Sequence, residues 1–591
     1  MADNSSVRTS THEIRLEGDL GGFDAELTVE QAAEGVDVVG VVLTADAAAT
    51  PPKVSLTWEH PVVDVQGSWS PFAGRQRGMS PDWSGTSVSR VTSGAPVRCL
   101  YDLAGRNRLT FAASDALNAL NVRAGVREET AEFVCRVGLF AEPGPPIDRY
   151  ELRLRIDTRD VPYHQALSDV SDWWAELPGF EPAPVPEAAR LPMYSTWYSF
   201  HQGLDADAVV RQCELAKELG CKAVIVDDGW QTTDSARGYA YCGDWAPERI
   251  ADMPDFVRRV HEAGLEFILW YSVPFVGIHS EAFGRFEGKV LYHSTRLGAS
   301  TLDPRFPEVR EYLIGTYETA MREWDLDGFK LDFVDCFRPN EQTPQRSAGD
   351  GRDYDSVAAA ADRLMSDVIA RLAAIKPNVC IEFRQSYVGP LMRKYGNMFR
   401  AGDCPNDAVT NRVRTIDIRL ICGDTAAHAD MLMWHADDPV EAAALQVLNI
   451  LFSVPQVSVL LDEVPPEHVE MLRFWLGFWR EHRDVLLDGR LEPRGPIALY
   501  PVVAASTAAR RVIAVYDNAV ADVGPDVPDE LFVVNATRAD RVVLELPEPP
   551  GQRAMEVFDC CGQAVAREAV DLPAGLHALP VPPAGLLAFR R

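Results

Sequence analysis

The sequence predicts three domains in the order β-sandwich, (β/α)₈ TIM barrel and small antiparallel β-sandwich. Three observations carry this reading. Short β-branched runs broken by turn residues fill roughly the first 160 residues. Apolar runs of strand length then alternate with helical periods from 191 to 463. From 486 the β-branched runs return without intervening helices.

In the first domain (1–180) the runs are VDVVGVVL, KVSLTW, PVRCLYDL, RLTFAA, EFVCRVGLF and YELRLRI, and in the last Leu152, Leu154 and Ile156 alternate with charged residues. That period of two fits strands buried on one face. The proline-rich stretch LPGFEPAPVPEAARLP (177–192) reads as a linker, because proline neither donates to a ladder nor continues a helix.

The central segment (181–485) opens with MYSTWYSF. A helix follows with Val209, Cys213 and Ala216 on one face, Asp205 placed to cap its start and Gly220 its end. AVIVDDGW comes next, then a helix through Phe256, Val260 and Ala263 ending at Gly264, then EFILWYSVP. Pro307 opens a helix through Val309, Leu313 and Trp324 that leads to GFKLDF; another through Val357, Leu364, Val368 and Leu372 leads to NVCIEF. Runs at FRAGD, HADMLMW and VSVLLDEV bring the strand candidates to eight. An open doubly wound sheet is the structural alternative, but no glycine-rich phosphate loop follows the first strand. The last segment (486–591) carries ALYPVVA, RRVIAVYD, ELFVVNA, RVVLEL, AMEVFD and GLLAFR, a small sandwich.

Composition narrows the partners. The 87 acidic residues outnumber the 57 basic ones, giving a formal charge of −30 that repels a phosphate backbone and an anionic bilayer. Neither nucleic acid nor a membrane is expected as a partner. The start MADNSSVRTS has no apolar core of a signal peptide, and the eleven cysteines sit in apolar runs without paired spacing apart from Cys560–Cys561. These features predict a cytoplasmic protein with free thiols.

In such a barrel the site forms at the C-terminal ends of the strands. Acidic residues recur there: Asp227, Asp228, Asp332, Glu382, Asp403 and Asp430. Trp197, Trp230, Trp270 and Tyr271 accompany the first three strands. Carboxylates for hydroxyls beside flat apolar faces suit a sugar ring, so a glycoside or oligosaccharide is the expected partner. Lys330 and Asp332, two apart on a strand, point into the mouth together, and the lysine would keep the carboxylate ionised for nucleophilic attack. Asp403, on a loop after a short apolar run, is the best second carboxyl. A separation of about 5 Å between the two would give retention and about 6.5–9.5 Å inversion. Each residue has a plainer reading: Asp227–Asp228 a solvated strand end or a metal pair, Asp332 a salt bridge to Lys330, Asp403 a loop cap. His428 and His435 fit core roles better than a metal site, and Arg384 either neutralises Glu382 or reads a sugar substituent.

The ordered series VDDGW, GDW, LW, LDPRFPEVR and Lys-x-Asp at the fourth strand resembles glycoside hydrolase clan D, most closely the family 36 α-galactosidases. The resemblance implies a retaining α-galactosidase without metal or cofactor, with Asp332 as nucleophile and Asp403 as acid/base. It implies that Asp227 and Asp228 hold the 4- and 6-hydroxyls beside Trp230, that Lys330 contacts the 3-hydroxyl region and that Trp197 forms a wall. It implies further that Asp244 and Trp245 close over the sugar. Where that family carries a glycine-rich stretch, this chain has CIEFRQS with Glu382 and Arg384. That order, and HADMLMWH with Asp430, look more like sister family 27, in which the glutamate binds the 2-hydroxyl. Hence α-N-acetylgalactosaminides, β-L-arabinopyranosides and transglycosylation stand as alternatives. A non-catalytic sugar-binding barrel and a metal-dependent barrel hydrolase or isomerase are alternatives of other classes. Relatives of this kind are often oligomeric, so a homo-oligomer is a further expectation.

Overall fold

The computed structural model describes residues 6–71, 74–84, 87–346, 349–525 and 527–591. The N-terminal domain is two six-stranded antiparallel sheets. In the strand Ile147–Asp157, Leu152, Leu154 and Ile156 are buried while Glu151 and Arg153 are exposed, and the inward residues pack with Trp58, Phe111 and Val137 into one core. The predicted linker is not a free tether. Ala183 N donates to the Arg393 carbonyl, Asn397 Nδ2 donates to the Pro184 carbonyl and Ala189 is fully buried, so the stretch is packed against the barrel.

Eight parallel strands form the barrel sheet: β1 (Met193–Ser195), β2 (Ala223–Val226), β3 (Glu266–Ser272), β4 (Gly328–Asp332), β5 (Cys380–Arg384), β6 (Met398–Arg400), β7 (Ala426–His428) and β8 (Gln456–Val457). β8 pairs with β1, and single bridges His428–Val454 and Leu432–Val457 close the gap between β7 and β8. The helices between strands follow their predicted signals. In α1 (Ala206–Glu218) Asp205 accepts from Ala208 N at 2.8 Å, and α2 (Met253–Ala263) ends at Gly264, whose φ of 91° suits glycine. Pro307 is the first residue of α3 (Pro307–Trp324), and Ser356 caps α4 (Val357–Ile375).

Two differences from the sequence reading bear on the site. β7 and β8 lie just upstream of the apolar runs that predicted them, so ADMLMW is a buried loop at the mouth. A three-stranded antiparallel sheet, Phe275–Gly277, Val290–Ser294 and Ala299–Leu302, is inserted between β3 and α3.

The C-terminal domain packs a seven-stranded sheet on a three-stranded one, and its antiparallel plan contains two parallel pairings, Arg510–Val515 with Glu530–Asn535 and Val520–Asp522 with Arg541–Leu546. All three domains meet at Asp417 in the barrel helix Ala408–Arg419. Its Oδ1 accepts from Trp69 Nε1 (2.9 Å) and Tyr500 OH (2.7 Å), and its Oδ2 from Arg77 Nη2 (2.7 Å).

Candidate active site

The C-terminal ends of β4, β5 and β6 place the charged groups. On β4, Lys330 and Asp332 both point inward, but they do not pair with each other. Lys330 Nζ lies 2.5 Å from Asp227 Oδ2, whereas Asp332 Oδ1 accepts from Arg384 Nε at 2.7 Å. Neither the Lys330–Asp332 salt bridge nor the Arg384–Glu382 pair, the plainer readings of these residues, forms. Asp332 Oδ1 accepts also from Tyr387 OH and from the Phe333 backbone N–H at 2.8 Å, while Oδ2 accepts from Trp270 Nε1 at 3.2 Å. Phe333 has φ of 63°, an uncommon conformation for a non-glycine residue, and there its N–H meets the carboxylate. Burial alone would raise the Asp332 pKa. The nearby Arg384 and Lys330 charges and the Tyr387 hydrogen bond outweigh it and hold the carboxyl well below the usual range, so it is ionised.

Asp403 sits on the loop after β6 with its side chain 49% exposed, and its Oδ1 takes Arg400 Nη2 at 2.9 Å. Here too burial works upward, but Arg400, Lys330 and Arg384 prevail over the repulsion of Asp332 and lower the pKa. Arg400 is itself fully buried: Nη1 donates to Asp430 Oδ1 at 2.5 Å, and Nε lies 3.5 Å from Glu382 Oε1. Asp430 Oδ2 is taken by Tyr198 OH (2.9 Å) and by Cys404 N (2.6 Å). Asp430, fully buried and so bonded, therefore ties the Asp403 loop to β7.

Glu382 lies one layer below the mouth, fully buried, with Gln456 Nε2 on its Oε2 at 2.5 Å. Burial raises its pKa. His428 closes the layer: its Nε2 donates to the Ala189 carbonyl, so its Nδ1 accepts from Gln456, and burial lowers its pKa to about 4. This is a neutral core histidine, as its setting in the sequence suggested.

Of the Asp227–Asp228 pair, Asp227 accepts from Lys330 and from Asp228 N. Asp228 is held by two amides, Gln202 Nε2 at 2.6 Å and Gln231 Nε2 at 2.7 Å, and burial pushes its pKa to about 6. Gly229 explains part of the VDDGW motif: φ is 114°, and a Cβ there would meet Gln202 Cα at 2.5 Å.

Trp230 is fully buried, donates its indole N–H to the Trp270 carbonyl and packs against Trp245, Tyr271 and Trp324. Trp245 is buried in the same cluster. Asp244 accepts from Glu281 N (2.7 Å) and Ala282 N (2.9 Å), adding two acceptors at the start of a short helix whose N-cap is Ser280. Trp197 is half-buried beside His201 at the start of the mouth, and Trp270 reaches Asp332. Tyr198, Tyr387, Arg400 and Gln456 were missed. Arg400 sits within the quoted run FRAGD, three residues before Asp403, and was open to the same reasoning.

A (β/α)₈ barrel with ionised carboxylates at its strand ends, between two β domains, is the architecture of the clan D glycosidases. Residues 187–388 match the Melibiase family model. The chain is 23% identical to the A type blood α-D-galactosamine galactosaminidase of Flavonifractor plautii over 31% of its length and 19% of that protein's. It is 25% identical to α-galactosidase AgaA of Geobacillus stearothermophilus over 25% of its length and 22% of that protein's. The chain thus spans about a fifth of the length of these curated relatives. The crystal structure of the family 36 AgaA superposes with a TM-score of 0.63 at 15% identity, covering 98% of this chain and 83% of that one. The α-galactosidase of Lactobacillus brevis gives 0.64 at 14% identity, covering 100% and 83%. The fold is that of the family 36 α-galactosidases. Among the described residues no helix is long and apolar enough to cross a membrane, and no group of three or more His, Cys, Asp or Glu is arranged to hold a metal.

Proposed function

We propose that this chain is a retaining α-glycosidase that hydrolyses terminal non-reducing α-D-galactosyl residues, with Asp332 as nucleophile and Asp403 as acid/base. The observation that carries it is the contrast between two carboxyls at the ends of β4 and β6, the strands on either side of β5. Asp332 is buried, ionised and fixed by four donors, whereas Asp403 is half exposed on a loop where an aglycone could reach it. Asp332 would attack the anomeric carbon while Asp403 protonates the departing oxygen; Asp403 would then deprotonate the water that releases the sugar. Asp403 must gain a proton before the first step. Entry of the sugar supplies a cause, because it displaces the water that solvates the charged carboxyl. Asp227 and Lys330, paired at the mouth, are placed to bind hydroxyls. All eleven cysteines are free, which supports work in a reducing compartment such as the cytoplasm.

The test is a panel of aryl α-glycosides followed by NMR of the first-formed sugar. The α-galactoside should be the best substrate, the product should keep the α configuration, and Asp332→Ala should lose at least about 10³-fold in turnover. Inverted product, or near-normal turnover by that variant, would sink the assignment. A glycone with a nitrogen at position 2 is a second reading, favoured by the Flavonifractor similarity, and the same panel decides between them.

A further inference from the structure

The two oxygens of Asp332 are not equivalent. Oδ1 receives three donors, Tyr387 OH, Arg384 Nε at 2.7 Å and Phe333 N at 2.8 Å. Among the described residues Oδ2 receives only the Trp270 indole, at 3.2 Å. The Arg384 guanidinium lies 5.2 and 5.4 Å from the Phe333 and Tyr387 ring centroids, which helps to fix it, and among the described residues it makes no second ion pair. We propose that Arg384 and Tyr387 are positioning residues that present Asp332 Oδ2 as the attacking oxygen and later draw the carboxylate off the sugar.

The inference rests on the retaining reading and follows the charge through it. In the first step an Oδ2 lone pair bonds to the anomeric carbon. The bond to the aglycone oxygen breaks, and that oxygen leaves with its electron pair and the Asp403 proton. Asp332 is now a neutral ester whose carbonyl is Oδ1, so Arg384 and Tyr387 donate to a weaker acceptor than before. In the second step water, losing a proton to Asp403, bonds to the anomeric carbon, and the C–Oδ2 pair returns to Asp332. The returning charge spreads to Oδ1, where three donors are already in place. Arg384 and Tyr387 therefore bind the leaving carboxylate more strongly than the ester, which lowers the barrier to the second step. Preorganised donors act in this way at any developing oxyanion.

The experiment compares the full-length protein with Arg384→Met, Arg384→Lys and the nearly isosteric Tyr387→Phe on an activated aryl α-galactoside, where leaving-group departure is fast. Arg384→Met and Tyr387→Phe should each lower kcat by about 10²-fold, the smaller loss typical of removing one oxyanion donor. KM should fall with kcat, and intact-mass spectrometry should show the glycosylated protein accumulating in the steady state. Arg384→Lys should recover part of the loss. Asp332 is faced by Lys330, Arg384, Tyr387, Tyr239, Asp335, Cys336 and Asp403. Of these only Arg384 changes in Arg384→Met, so the acid limb of kcat/KM should move up by about one pH unit. If Tyr387→Phe, which keeps the ring that packs there, retains its kcat, or if kcat falls without adduct and with KM unchanged, the inference is wrong. If the unmodified protein cleaves no aryl α-glycoside or inverts configuration, the glycosidase reading fails and this inference with it.

Discussion

Asp417 is the place where one substitution should loosen all three domains. Its two oxygens take Trp69 and Arg77 from the N-terminal domain and Tyr500 from the C-terminal segment, and Arg77 also lies over the Tyr500 ring. Both charged side chains are almost fully buried, 1% exposed for Arg77 and 2% for Asp417. Removing one partner of a buried ion pair costs about 3–5 kcal/mol because the other charge stays buried. Each stranded donor, the indole N–H and the phenol O–H, adds about 1–3 kcal/mol where water cannot reach it. These terms are not additive, so Asp417→Ala is expected to lose about 5 kcal/mol, with Asp417→Asn losing less because one amide oxygen still accepts. Urea unfolding followed by tryptophan fluorescence and limited proteolysis would read the loss and show which domain detaches first. Detachment has a functional consequence. The N-terminal loop reaches the active-site segment through Gly94 N to the Ser386 carbonyl (2.7 Å), one residue before Tyr387, so kcat should fall even at temperatures where the variant stays folded. A variant within about 1 kcal/mol of the parent would refute the claim that Asp417 locks the domains together.

Other expectations are narrower. Asp332 must be ionised and Asp403 protonated in the productive form, and both carboxyls are held below their usual pKa by flanking cations. The kcat/KM profile should therefore be a bell displaced to the acid side, lost on the alkaline limb as Asp403 ionises; a maximum above neutral pH would contradict this. Asp244→Ala removes two acceptors at a helix start, so thermal melting should show a loss of about 1 kcal/mol while KM stays unchanged. In the N-terminal domain His12 Nε2 and His60 Nδ1 are 3.0 Å apart, and burial first, with the His12 charge adding to it, brings the His60 pKa to about 4. The folded pKa lies below the unfolded value, so this contribution is present above about pH 6.5 and is lost as pH falls toward 4. His60→Gln should flatten the stability slope in that window, measured by melting at successive pH values.

The barrel was legible because each repeat carries its own punctuation. Asp205, Gly264, Pro307 and the periodic apolar faces are local signals, and local chemistry enforces them: an aspartate oxygen that meets free N–H groups, a glycine that alone tolerates φ near 90°. β7 and β8 were displaced in the reading because three- and two-residue strands leave little period to count, and the apolar run that follows β7 is buried as a loop. The aromatic residues were ambiguous for a related reason. Tryptophan at a strand end looks the same in sequence whether its ring faces the mouth or turns outward under a helix. Trp230 turned outward, onto Trp324 of α3, while Trp270 turned in.

For the charged residues the sequence showed the side but not the partner. Residues two apart on one strand share a side, and that rule correctly brought Lys330 and Asp332 to the mouth. Sharing a side does not make them partners, because their Cα atoms lie about 6.5–7 Å apart along the strand, whereas residues on neighbouring strands sit about 5 Å apart. Each charge therefore looks sideways. Lys330, whose register partners are Trp270 on β3 and Glu382 on β5, reaches across to Asp227, which follows β2. Asp332, one pair further along, finds Arg384 on β5. Arg400, opposite Arg384 on β6, turns from that like charge to Asp403 and Asp430. Three cations thus serve carboxylates at four different strand ends, and the order is fixed by register, which a single sequence does not display until the strands are paired. The same sideways pairing brings Arg384 to the carboxylate proposed as nucleophile, so the residue that departs from the family pattern is the one best placed to tune its chemistry.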